Sequence, residues 1–235
     1  MFETGAVKLD RRELLAGVAA GSLLLLLPGC MSVGAGLAGG SLIDMVKRLL
    51  TLSTQDAFAK LTRKDGFWDS TVARIRLPRM FDQNPGLLKG VLASRTFRDQ
   101  LQHHLNTIAE KGAERVAPLA ADAIRNLSVT DAAAVLGGGP TAATSELRAA
   151  VGPGLINALI PPLGSALQAA DDPVVAQAMA VLTGVNLTDA AHALAIETEN
   201  AIWYEIGASE ASIRANPEAT GDAALIAALR GPGGK

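Results

Sequence analysis

The chain is poor in the residues that most often carry chemistry. It holds one cysteine, three histidines, one tyrosine and two tryptophans, and aromatics make up only 3% of its 235 residues. A single cysteine rules out an internal disulfide and any thiolate-rich zinc site. There is no H-E-x-x-H, no Walker loop and no G-x-S-x-G elbow. Sparse aromatics and a sequence pI near 5.9 also argue against a nucleic-acid partner, which would want a basic surface with interleaved stacking residues. The histidines add little. His103 follows Asp99 by one helical turn, half of a metal site with no further ligands at useful spacing, and reads as a solvated face. His104 lies between Leu101 and Ile108 as a flank of the core, and His192 reads as structural. No metal or cofactor is expected. A Ser-His-acid set stays open because triads do not follow sequence order, yet nothing marks one serine above the others, so an enzyme, hydrolase-type if any, ranks last among the functions.

What the chain does have is an address. Lys8, Arg11 and Arg12 precede the apolar run Leu14 to Leu27, which ends in Pro28, Gly29 and Cys30. A charged start, a short apolar core and a small-residue end make an export signal, and fourteen residues are few for a bilayer span. The ending resembles a bacterial lipobox. In that reading residues 1–30 form the signal, and Cys30 becomes the first mature residue, carrying acyl chains with palmitate among them. An ordinary secretory signal and an uncleaved anchor are the alternatives. Asp10-Arg11-Arg12-Glu13-Leu14-Leu15 fits a twin-arginine motif, while general secretion needs the same charge. Met31 stands where an Asp would hold a lipoprotein at the inner membrane, which points to the periplasmic face of the outer membrane.

Residues 31–41 are rich in Gly, Ala and Ser and read as a flexible tether. Gly34, Gly36 and Gly39 match a dinucleotide fingerprint, but no strand precedes them. From residue 42 to about 230 the apolar residues recur at helical spacing. Leu42, Ile43, Val46, Leu49, Leu50, Ala57, Phe58 and Leu61 form one stripe. Val72 to Pro78 alternates instead, with Ile75 and Leu77 opposed to Arg74 and Arg76. A helix from Leu87 to about Ala113 follows, then one opening at Pro118, and a further one delimited by Ser128, Asp131 and Gly137. Pro161 and Pro162 are expected to kink or end an apolar helix, and Asp172 with Pro173 to cap another. The last long helix is placed from about Thr188 to Ala215, ended by Asn216 and Pro217, with a short one around Leu225 and Leu229. The fold expected is all-α: a single multi-helix domain with one short extended segment.

These segments, taken in order, resemble a bacterial family, the domain of unknown function 4197, which groups secreted proteins and lipoproteins. Asp65-Gly66-Phe67 and the Val72 to Pro78 segment are similar to its D-G-F and V-R-I-P-L-P, and Leu105, Asn106, Ala109 and Glu110 to its L-N-x-A-A-E. Asp131 through Arg148 is similar to its D-A-x-x-I-L-x-G-G-D-T-A-A-T-x-Y-F-R, and Ile213, Arg214, Asn216 and Pro217 to its I-R-x-N-P. Pro140 departs from an acid in the pattern, and Ser209 with Glu210 replaces a Glu pair. The resemblance implies a fold and an address and assigns no catalytic residue.

Three candidate regions remain. The turn from Gly137 to Thr141 opens a helix, so Gly138, Gly139, Thr141, Thr144 and Arg148 form a candidate ligand or anion site; a tight interhelical turn needs the same residues. Residues 150–185, dominated by Ala, Gly and Leu, allow close helix packing or a groove for an acyl chain. Charge is uneven along the chain: residues 40–115 hold thirteen Lys and Arg against eight acids, while residues 186–222 hold seven acids against Arg214 alone. Such runs are usually solvated faces, but Arg74, Arg76 and Arg79, with Lys60, Arg63 and Lys64 nearby, are candidates to face anionic head groups. The function expected is an anchored, non-enzymatic protein that binds a lipid or other hydrophobic ligand, or else an envelope scaffold for a protein partner.

Overall fold

The computed structural model describes residues 40–78, 94–169, 173–181 and 186–231. Cys30, Gly34, Gly36 and Gly39 of the tether, Arg79, the start expected at Leu87 and the Asp172 cap all lie outside the described residues. Nine α-helices make up the described part: α1 (Leu42–Leu61), α2 (Gly66–Asp69), α3 (Arg95–Asn126), α4 (Ala132–Leu136), α5 (Ala142–Val151), α6 (Gly154–Gln168), α7 (Pro173–Val181), α8 (Leu187–Ala215) and α9 (Ala223–Arg230). No strand occurs among these residues, so the chain is all-α.

Local signals set most of the helix starts. Ser41 caps α1 in a capping box with Asp44, Ser94 accepts from the Phe97 amide, and Asn186 accepts from the Asp189 amide at 2.8 Å. In each case a side-chain oxygen answers an amide that the helix itself leaves unpaired. At α4 the cap is Asp131, which accepts from Ala134, so Ser128 lies outside the helix it was expected to open.

The prolines behave differently from expectation. Pro118 lies inside α3, which runs unbroken for 32 residues, and α6 continues through Pro161 and Pro162. A proline costs a helix one hydrogen bond to the carbonyl four residues earlier. Pro118 and Glu114 are exposed, as are Pro161 and Asn157, so the orphaned carbonyls of Glu114 and Asn157 are on the solvent side. Burial of Val116 and Ala120 around the first, and of Leu159 and Leu163 around the second, holds the helices together across the break.

α8 is the axis of the fold. It packs against α1 and α6, and α3 packs against both of these. α6 contributes Leu155, Leu159, Leu163 and Leu167 at intervals of four, all buried, the row that meets a neighbour ridge into groove. The apolar stretch expected to allow an acyl groove is therefore largely spent on close packing. α5 and α6 meet at an angle of 72°. Among the described residues no single helix is long and apolar enough to cross a membrane.

Candidate functional site

The acids of α8 explain the uneven charge. Glu199, Glu205 and Glu210 are 4%, 6% and 0% exposed, so they form no solvated face. Each meets a cation: Arg148 of α5 reaches Glu199 at 3.0 Å, Lys60 of α1 lies 3.4 Å from Glu205, and Arg214, one turn further along α8, donates to Glu210 at 2.7 Å. On the core side of a central helix an acid cannot reach water and needs a basic partner, whereas Asp189 and Glu197 on the outer side of α8 are exposed. The sequence hides this because the buried stripe of α8 runs through Leu194, Thr198, Ile202, Glu205 and Ser209 without a break in period at the polar members.

Glu210 and Arg214 together close the glycine-rich turn. The Glu210 carboxylate accepts from the amides of Ala143 at 3.0 Å and Thr144 at 2.7 Å and from the Thr144 hydroxyl at 2.6 Å. Arg214 donates to the carbonyls of Leu136 at 2.7 Å and Val135 at 2.9 Å. The last carbonyls of α4 and the first amides of α5 are the groups helices leave unpaired, and one ion pair answers both sets. Gly207, one turn before Glu210, lets α5 approach: a Cβ there would stand 3.1 Å from Thr141 Cγ2. Of the candidate anion residues, Thr144 thus binds the chain's own carboxylate and Arg148 holds Glu199 and Asn200. Thr141 makes no side-chain cap, Gly138 packs on Ala142 and Ala134, and Gly139 borders open space.

A second polar knot joins α2 to α3. Asp65 takes a left-handed conformation, φ 60°, which Asp tolerates better than most residues. Its carboxylate lies 2.8 Å from His103 Nε2, which is therefore partnered and lies edge-on to Trp68. A Cβ on Gly66 would stand 2.2 Å from the Lys60 carbonyl, so only glycine fits. Burial first, and Asp65 second, push the carboxyl of Glu110 above the usual range. Glu110 Oε1 has no partner.

In the third knot Ser209, 1% exposed, donates to Asp56 at 2.6 Å, and Lys60 donates to both. Burial pulls Lys60 down, but Asp56 and Glu205 outweigh it and hold the ammonium above its ordinary value. A protonated lysine takes no proton from a serine, and a buried hydroxyl meets no substrate, so this grouping lacks the makings of a Ser–Lys nucleophile. It also removes Lys60 from the basic surface expected around it. Among the described residues no set of three or more His, Cys, Asp or Glu is placed to hold a metal.

Of the basic residues singled out in the sequence, Arg63, Lys64, Arg74 and Arg76 are exposed. Ala73 and Ile75 are buried while Val72, Arg74 and Arg76 are exposed, the alternation the sequence predicts. No strand pairs with this segment. Instead Asn106, fully buried, accepts from the Ile75 amide at 2.8 Å and donates to its carbonyl at 2.9 Å, and Gln102 donates to the same carbonyl. A side-chain amide thus stands in for a neighbouring strand. Arg74 donates to the Trp68 carbonyl and lies 4.6 Å over the Trp68 ring. With Ser70, Thr71, Gln102 and Arg76 it lines an open cleft of about 330 Å³. An apolar pocket lined by Pro78, Leu101, Leu105, Leu167, Val175, Ala178, Ala190 and Leu194 holds only about 10 Å³, room for one water.

Against known proteins, a family model described as Protein of unknown function (DUF4197) matches residues 37–229. No curated protein and no solved structure matches the chain.

Proposed function

The chain belongs to DUF4197, a family of proteins of unknown function, and from that premise we propose an envelope lipoprotein that acts by binding at a membrane surface and not by catalysis. Acylated Cys30 is its anchor, at the periplasmic face of the outer membrane. The observation that carries the reading is the contrast between Arg74 and Arg76, exposed on one side of a fixed segment, and Glu199, Glu205 and Glu210 of α8, which are buried. Such a distribution leaves a basic face for anionic head groups, at about 1 kcal/mol per basic residue near the surface. The family-like motifs support a non-catalytic role, because Asp65, Asn106, Thr144 and Arg214 are spent on the chain's own hydrogen bonds and ion pairs.

A second reading, a hydrophobic ligand, rests on the wholly apolar pocket beside α7 and requires that helix to move before an acyl chain fits. Fractionation tests the anchor: Cys30→Ala should leave the membrane fraction, and a variant that stays membrane-bound and unprocessed overturns the lipoprotein reading.

A further inference from the structure

We infer that the cleft of Ser70, Thr71, Arg74, Arg76 and Gln102 is a binding site for a phosphate group. The inference deepens the membrane-surface reading and rests on it only for the source of that phosphate. Arg74 is held in place before any ligand arrives, with its Nε on the Trp68 carbonyl and its plane against the indole, so its two terminal nitrogens remain to meet a ligand. Arg76 stands two residues along the same extended segment, on the same exposed side and about 7 Å further along the backbone at the rise of a strand, and both side chains line the cleft, so an anion held there is flanked by two positive charges. The segment cannot slide, because Asn106 and Gln102 fix Ile75 from behind and Ser70 accepts from the amides of Val72 and Ala73. Prepositioned donors are what anion recognition asks for, since ordering them on binding would cost affinity.

Two acids lie near the cleft. Glu205 accepts from Ser70 at 2.9 Å and faces Lys60, so its charge is matched within the fold; Asp69, exposed and next to Ser70 in the chain, lies outside the lining. No acid is among the lining residues. At about 330 Å³ the cleft is at the small end for ligand sites, suited to a phosphate with a small ester substituent and not to a whole lipid. Val72, 47% exposed, stands next to the arginines, an apolar contact that a lipid would use and a free phosphate would not.

The test uses the full chain in neutral detergent micelles, read by tryptophan fluorescence, with Trp68→Phe as the control that removes the local signal. Inorganic phosphate is titrated at constant ionic strength, and separately phosphatidylglycerol or phosphatidylcholine is added to the micelles. A saturable change is expected with phosphate or phosphatidylglycerol, and Arg76→Gln should weaken it at least tenfold without moving the melting temperature. Saturation by inorganic phosphate identifies a free phosphate as sufficient. Saturation by phosphatidylglycerol alone, weakened by Val72→Ser, identifies the head group. No saturation with either probe, an equal response to phosphatidylcholine, or an Arg76→Gln variant that titrates like the parent overturns the inference. Anchoring through Cys30 is read by a different experiment, so either proposal can fail alone.

Discussion

Replacing Glu210 with alanine removes a carboxylate that is fully buried and accepts four hydrogen bonds, from two amides, a hydroxyl and a guanidinium. What remains is worse than a cavity. Arg214, whose side chain is 11% exposed, is left with no counter-charge, and the amides of Ala143 and Thr144 have no acceptor. Breaking a buried pair from one side costs about 3 to 5 kcal/mol, a large part of the roughly 5 to 15 kcal/mol that keeps a domain folded. At about 2 to 4 °C per kcal/mol for a domain of this size, the melting temperature should fall by about 6 to 20 °C. Circular dichroism at a helix wavelength reads this directly. The double variant Glu210→Met with Arg214→Met separates charge from packing, because removing both partners leaves no uncompensated ion and should cost less than Glu210→Ala alone. A Glu210→Ala protein within 1 kcal/mol of the parent, or a double variant clearly worse than the single, would refute the view that this pair ties α4 and α5 to α8.

Four further outcomes are expected. Asn106→Leu leaves both polar groups of Ile75 without that partner, at about 1 to 3 kcal/mol for each buried group, and should raise hydrogen exchange at Ile75 before the core opens. In the glycine turn, Gly138→Ala should destabilise, since its Cβ would stand 2.8 Å from the Ala142 Cβ and 2.9 Å from the Ala134 carbonyl, whereas Gly139→Ala meets nothing within 4 Å and should be neutral or slightly stabilising in thermal melts. Thr144→Ala should cost more than Thr141→Ala in urea unfolding, because Thr144 donates to Glu210 and Thr141 caps nothing; the reverse order would restore Thr141 as the cap. Glu110 has a pH signature: held above its ordinary 4.5 by burial and Asp65, it binds its proton more tightly when folded, so its stabilising share is full below that value and lost as pH rises through the folded one. Glu110→Gln should therefore gain on the parent as pH rises above the ordinary 4.5, and a pH-independent difference would count against a raised value.

The sequence by itself determined the all-α class, the family and many of the helix limits, because these rest on local rules. Apolar spacing wrote the stripe of α1, and Asn216 with Pro217 marked an end of α8 that a few neighbouring residues suffice to set. Alternation likewise announced which side of residues 72–76 is buried. Tertiary structure decided whatever depends on partners distant in the chain. α3 continues through Pro118 because packing on either side outweighs one lost hydrogen bond, which no local propensity records. Thr144 and Arg148 were legible as polar residues on one helix, yet their partners, Glu210, Glu199 and Asn200, lie more than fifty residues away. The acids of α8 read as a negative run until the fold brought Arg148 and Lys60 from other helices to meet them. Charge and period are properties of a stretch of chain, but whether a charge faces water or a buried counter-ion depends on which helices surround it.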